Sequence, residues 1–197
     1  MARTVELYWD FSSPYTYLAQ TQAAAMAART GARLVWRPFF LGGLFKLLEQ
    51  PLPALTMSPA KREHGVYDLG RWADYWGVPF RFPSRFPMNS LPALRTYLAL
   101  PEPRRDAFRE GVFRAYWADD RDIADEGLLA ELAGEGGGEA VARAKSPEIK
   151  QALADATDAA FKAGVFGAPT WVVDGRDLYW GQDRIFLVER ALEKAGA

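Results

Sequence analysis

Apolar and more polar positions alternate from Val5 to Trp9, with Val5, Leu7 and Trp9 set against Glu6 and Tyr8. A period of two predicts a strand over 4–10 with one face in the core. Pro14 then opens an amphipathic run rich in Ala, Gln and Leu. This predicts a helix over 14–30, ended by Gly31. Proline suits the first helical position, because its missing N–H would have no partner there in any case. Arg33-Leu34-Val35-Trp36-Arg37 predicts a second strand, stopped by Pro38. Strand, helix and strand within about 35 residues make a right-handed βαβ unit with parallel strands.

Beyond Pro38 the period changes. A short helix is predicted over 41–48, then a proline-rich loop at Gln50-Pro51-Leu52-Pro53. The spacing of Val66, Leu69, Trp72 and Ala73 predicts a helix over 59–75 with those residues on its buried side. Residues 79–90 hold too many prolines for regular structure. Helices are predicted over 91–100, 103–118, 125–133, 138–145 and 147–163, with Gly136-Gly137-Gly138 as a break between two of them. Strands return at Pro169–Val173 and Asp177–Trp180, joined by Asp174-Gly175, a strong hairpin turn. A last helix runs to about Glu193. The order is β-α-β, a helical block, then β-β-α: an α/β fold with a small four-stranded sheet in two halves.

Composition narrows the function. A 197-residue chain that is 49% hydrophobic supports one domain with a substantial core. Its 24 basic and 25 acidic residues leave a net charge of -1, so nothing electrostatic points to nucleic acid or an anionic membrane as partner. No apolar run approaches a membrane span, and no signal-peptide pattern precedes the first strand. A cytoplasmic protein is expected. Cysteine is absent and His64 is the single histidine. That excludes disulfides, thiolate or histidine-rich metal sites, and redox chemistry on a protein thiol.

Four constellations remain as candidate chemistry. In Ser12-Ser13-Pro14-Tyr15, Ser13 stands at an N-cap, beside free backbone N–H groups and the positive end of a helix dipole. On its own this is a common helix start; it is also a place for an anion. In Gly164-Val165-Phe166-Gly167-Ala168-Pro169-Thr170, a proline opens a strand after a two-glycine loop. An edge-strand proline fits equally well with a cis peptide whose Ala168 backbone groups, left unpaired, accept a peptide-like ligand as an added strand. In Trp180-Gly181-Gln182-Asp183-Arg184, Asp183 suits either a helix cap or, with Gln182, an amino-acid head group whose ammonium it pairs. Arg37, Lys61, Arg62 and Asn89 form a cationic and amide set, and His64 lies three positions after Lys61.

Taken together, these segments resemble the 2-hydroxychromene-2-carboxylate isomerase family, related to kappa-class glutathione transferases and DsbA-like thioredoxin folds. The matching pieces, in order along nearly the whole chain, are Asp10-Phe-Ser-Ser-Pro-Tyr-Thr-Tyr-Leu18, Arg37-Pro-Phe39 with Leu41-Gly-Gly43, and Pro59-Ala-Lys-Arg62. Trp72, Gly77-Val-Pro-Phe-Arg-Phe-Pro83, Asn89, Gly164-Val-Phe-Gly-Ala-Pro-Thr170 and Trp180-Gly-Gln-Asp-Arg184 follow. The resemblance implies a thioredoxin-like fold over 1–40 and 165–197, with an inserted all-helical subdomain over about 41–164. It implies glutathione as cofactor and a homodimer. It implies that Ser13 replaces the first active-site cysteine of redox relatives. Pro169 would be cis, Ala168 would pair with the glutathione backbone, and Gln182 and Asp183 would hold its γ-glutamyl end. One departure is Leu48-Glu49-Gln50-Pro51, where many relatives carry Gly-Asn-Gln-Pro; Glu49 places a charge where a neutral amide is expected.

With no thiol of its own, the protein would borrow one. A hydroxyl and a helix N-terminus at Ser13 would stabilise a thiolate by about 1–3 kcal/mol, up to about two pKa units. The expected reaction is isomerisation of a 2-hydroxychromene-2-carboxylate-like aromatic substrate by reversible thiolate addition. Phe11, Tyr15, Phe39, Phe40 and Trp76 are candidates for an aromatic lining, with core packing the expected role of several, and Arg37, Lys61 or Asn89 could hold the substrate carboxylate. Two other readings stay open: a kappa-class-like transferase that keeps the thiol on an electrophile, and a non-catalytic thioredoxin-like binding module.

Overall fold

Strand β1 (Thr4–Trp9) leads into α1 (Pro14–Thr30), which Gly31 ends in the left-handed conformation at φ 66°, and β2 (Arg33–Pro38) lies parallel to β1. The fold comes from a computed structural model that describes residues 3–194. Helices α2 (Leu41–Leu47), α3 (Pro53–Thr56), α4 (Pro59–Trp76), α5 (Leu91–Ala99), α6 (Glu102–Trp117), α7 (Glu126–Ala133), α8 (Gly137–Arg143) and α9 (Pro147–Lys162) follow. Strands β3 (Thr170–Val173) and β4 (Asp177–Trp180), a 3-10 turn over Gln182–Arg184 and α10 (Ile185–Lys194) complete the described residues.

The sheet order is β2-β1-β3-β4. β1 is central, parallel to β2 and antiparallel to β3, with Val5 opposite Val173 and Tyr8 opposite Thr170. Alternation along β1 splits the core. Val5 and Leu7 pack with Trp171 and Val173 under Ala19, Ala23 and Met26 of α1 and Ile185, Val188 and Leu192 of α10. Tyr8 faces the other way, toward Phe39, Leu44 of α2, Ala160 of α9 and Val172. A larger core belongs to the helical part and includes Tyr97, Phe108, Val112, Phe113, Trp117 and Leu129.

Trp9 joins these bodies. It is fully buried, with its ring 4.9 Å from both Phe11 and Tyr97 and 5.8 Å from Phe113. Aromatic pairs of this kind add about 0.5–1.5 kcal/mol each beyond area burial. The helical part is therefore anchored at the C-terminal end of β1, where the chain turns toward Ser13.

Three local expectations change. The proline-rich loop contains one helical turn, α3, because Pro53 stands at a helix start where proline is tolerated. The triple glycine is not only a break: Gly137 and Gly138 lie within α8. A Cβ on Gly137 would come within 2.1 Å of the Ala130 carbonyl oxygen, so glycine there permits the close approach of α7 and α8. Val66 is exposed, since α4 buries only Leu69 and Ala73.

The β3–β4 turn also holds the chain start. Asp174 and Gly175 both have positive φ, 50° and 68°, as the hairpin turn requires. The Asp174 carboxylate accepts the Thr4 N–H at 3.0 Å and pairs with Arg3 at 2.6 Å. These partners, the Thr4 N–H first, hold its carboxyl below the usual range. A lowered folded-state pKa stabilises the fold above the unfolded pKa, and that gain is lost as pH falls through the folded one. Asp174→Asn is expected to lower Tm by about 2–4 °C at pH 7. The gap from wild type should narrow as pH falls below the usual carboxylate range, as read by calorimetry across pH.

Candidate functional site

Ser13 ends the turn after β1 and caps α1. Its backbone is extended, at φ -96° and ψ 116°, and its Oγ accepts the Thr16 N–H at 3.2 Å. The Ser13 N–H donates to the Asp10 carbonyl and the Tyr17 N–H to the Ser13 carbonyl. Pro14 has no N–H. Among the described residues this leaves the Tyr15 N–H as the first-turn donor without a partner. An unpaired N–H at a helix N-terminus is an anion-binding group.

Ser13 is only 4% exposed. Its hydroxyl proton goes to the Ala168 carbonyl at 2.8 Å, across 155 residues of sequence. The expectation that the Ala168 backbone groups stand unpaired is therefore corrected for the carbonyl: a buried hydroxyl needs an acceptor, and Ala168 provides it. The Ala168–Pro169 bond is cis. Beside it, Trp180 lies against Gly167, where a Cβ would come within 2.6 Å of the indole Nε1. Phe166 and Trp180 form an exposed aromatic pair, with centroids 5.3 Å apart.

The 3-10 turn lies on the α1 side. Gln182 is buried, and its Oε1 accepts the Trp76 Nε1–H at 3.0 Å. Asp183 is partly exposed and pairs with Arg184 at 2.6 Å, so it does not act as a helix cap. Burial raises the Tyr15 hydroxyl pKa, and the charges of Asp68 and Asp183 raise it further. The charges of Asp68 on α4 and of Asp183 therefore both bear on Tyr15 of α1. The phenol there stays a proton donor at neutral pH.

The other candidates divide. Arg37 is held by Glu6 at 2.6 Å on the sheet face away from α1. Lys61 is exposed near the start of α4, where its N–H donates to Ser58 Oγ. The Asn89 side chain accepts the Leu91 N–H at 3.1 Å, at the start of α5. Phe11 and Phe39 are fully buried in the core and line no open surface, whereas Phe40 and Trp76 are partly buried. Glu49 has φ 54°, a left-handed position that asparagine adopts more readily than glutamate.

Asp10 was not among the predicted site residues. It is fully buried, and its oxygens accept the Ser12 N–H at 2.8 Å and the Leu41 N–H at 2.7 Å. Burial pushes its pKa up, while the Ser12 and Leu41 N–H bonds and the nearby Ser90 and Ser12 hydroxyls pull it down. The signal was an aspartate two residues before a serine, the spacing of an Asx turn.

The sequence profile of the DSBA-like thioredoxin domain matches residues 4–193. The chain is 31% identical over 201 residues to a 2-hydroxychromene-2-carboxylate isomerase of Sphingobium xenophagum, covering 98% of this chain and 99% of that protein. It is 30% identical over 210 residues to glutathione S-transferase kappa 1 of Homo sapiens, covering 98% and 92%. A solved 2-hydroxychromene-2-carboxylate isomerase superposes with a TM-score of 0.86 at 26% identity, covering 98% of this chain and 96% of the other.

Ser13→Ala removes both the cap on Thr16 and the bond to Ala168. It is expected to cost about 1–3 kcal/mol of stability, measured as a lower urea midpoint at unchanged m-value.

Proposed function

The chain belongs to the DSBA-like thioredoxin domain family and is 2-hydroxychromene-2-carboxylate isomerase-like; from that premise we propose a glutathione-dependent isomerase acting on an aromatic-degradation intermediate. The observation that carries this reading is the donor set at Ser13. A buried hydroxyl that bonds Ala168 and, two residues on, the unpartnered Tyr15 N–H stand at one helix N-terminus in a chain without cysteine. That set fits an external thiolate, which accepts hydrogen bonds and is favoured by the helix dipole. Bound glutathione would supply a nucleophilic thiolate for reversible addition to a conjugated double bond, with rotation and elimination.

The chain's own residues then have these roles. Tyr15 N–H donates to the anion. Ser13 turns its single proton from the Ala168 carbonyl toward the sulfur, keeping the Thr16 N–H on its lone pair. The released Ala168 carbonyl accepts a peptide N–H of the ligand, so the exchange conserves hydrogen bonds. Gln182 and Asp183 receive the γ-glutamyl group. The exposed Asp183–Arg184 pair is worth at most about 1 kcal/mol, too little to hold the carboxylate from a ligand ammonium. For the substrate carboxylate we favour Lys61 and Asn89 over Arg37, whose charge Glu6 already meets. Tyr15 remains protonated and donates to the substrate carbonyl oxygen. The reading includes a cytoplasmic homodimer.

Transfer to an electrophile, without return of the thiol, is the second reading, favoured by the similarity to the human kappa 1 transferase. Product mass decides between them. Incubation with glutathione and 2-hydroxychromene-2-carboxylate should give an isomer of unchanged mass and leave glutathione unconsumed, whereas a stable adduct would favour transfer.

Ser13→Ala is expected to lower turnover at saturating glutathione at least tenfold, about 1.4 kcal/mol or more in the barrier; unchanged turnover would remove Ser13 from the reaction. Asp183→Ala should raise the glutathione Kd by about three- to tenfold in a calorimetric isotherm. An unaltered isotherm would remove Asp183 from the binding set.

A further inference from the structure

The proposed reaction uses Ser13 but says nothing of what fixes it in place. Asp10 lies three residues earlier and is fully buried. Its side chain reaches in two directions. One oxygen takes the Ser12 N–H at 2.8 Å, within the turn that carries Ser13. The other takes the Leu41 N–H at 2.7 Å, the first residue of α2, 31 residues away in sequence. Its main-chain carbonyl takes the Ser13 N–H as well. Both hydrogen-bond partners of the carboxylate are backbone N–H groups, and among the described residues no cation pairs with it. The starts of α1 and α2 therefore meet on one carboxylate.

We infer that Asp10 is a positioning residue of the thiol site. Its two oxygens hold the Ser12–Ser13 turn at a fixed distance from α2, so that the Ser13 hydroxyl and the Tyr15 N–H are aimed at one point. This rests on the reading that Ser13 and Tyr15 receive a thiolate.

A carboxylate has two acceptor oxygens and a carboxamide has one. Asp10→Asn therefore keeps the shape but sets an NH2 group against either the Ser12 or the Leu41 N–H, and the turn must shift. The informative readout is the pKa of the bound glutathione thiol, followed by thiolate ultraviolet absorbance against pH. Loss of aim weakens the donors and raises that pKa. Removal of a nearby negative charge alone would lower it. A contribution to stability alone would leave it unchanged.

In Asp10→Asn we expect a rise of about half a pKa unit or more. The glutathione Kd should stay within threefold, because the γ-glutamyl contacts lie elsewhere, and turnover should fall at least tenfold. A fall in the thiol pKa, or no change, overturns the positioning role. Wild-type protein that binds no glutathione overturns the underlying reading instead, so the two failures are distinct.

If Asp10→Asn does not fold, amide exchange on the unsubstituted protein decides. Protection of the Ser12 and Leu41 amides should be high and should fall together as Asp10 is protonated on acidification. Independent loss of protection at the two amides overturns the shared role.

Discussion

A carboxylate removed from water survives only where donors meet its oxygens. An unpaired one costs several kcal/mol even after relaxation, more than the roughly 1 kcal/mol that a single neutral hydrogen bond returns. Asp10 is in that position, and the backbone around it is arranged accordingly. The Ser12 and Leu41 N–H groups lie where its oxygens require them. The turn so fixed hands Ser13 to the cap of α1, and Ser13 in turn clasps Ala168. One desolvated group thus sets the path by which the first half of the sheet meets the second. Trp9, next to it in sequence, brings the helical part to the same place.

An oxygen at Ser13 gives this edge a different balance from a sulfur. A hydroxyl donates a short, strong hydrogen bond and stays protonated at any ordinary pH, whereas a thiol donates weakly and ionises near neutrality. The buried clasp to Ala168 depends on that difference. It also separates two roles that a catalytic cysteine combines: holding the turn together and carrying the nucleophile. Under the proposed reading, the protein keeps the first role and takes the second from its cofactor.

Much of this was legible in the chain. The βαβ start, Gly31 as helix end, the Asp174-Gly175 hairpin and the cap at Ser13 all rest on short-range rules, and short-range rules act on residues adjacent in sequence. The family was legible because seven short segments fell in a fixed order. What escaped the sequence was set by distant partners. Whether Ala168 offers its carbonyl depends on Ser13, 155 residues away. Phe11 and Phe39 suit a binding wall or a core by residue type, and only contacts with other elements decide for the core. Arg37 resembles any surface cation until the register of β1 and β2 brings Glu6 beside it. Asp10 was missed because its second partner, Leu41, belongs to a different helix.

The strand order has a consequence for how the protein is made. β1 is the central strand, yet its partner on one side, β3, lies at the far end of the chain: Val5 pairs with Val173. During synthesis β1 and β2 emerge early, and one edge of β1 keeps its row of N–H and C=O groups open while the whole helical block is translated. An open apolar strand edge is a template for pairing with other chains. The nascent protein is therefore most exposed to aggregation on the ribosome before residue 170 has left the exit tunnel. Helices that form early over β1 and β2 shield its faces but not that edge.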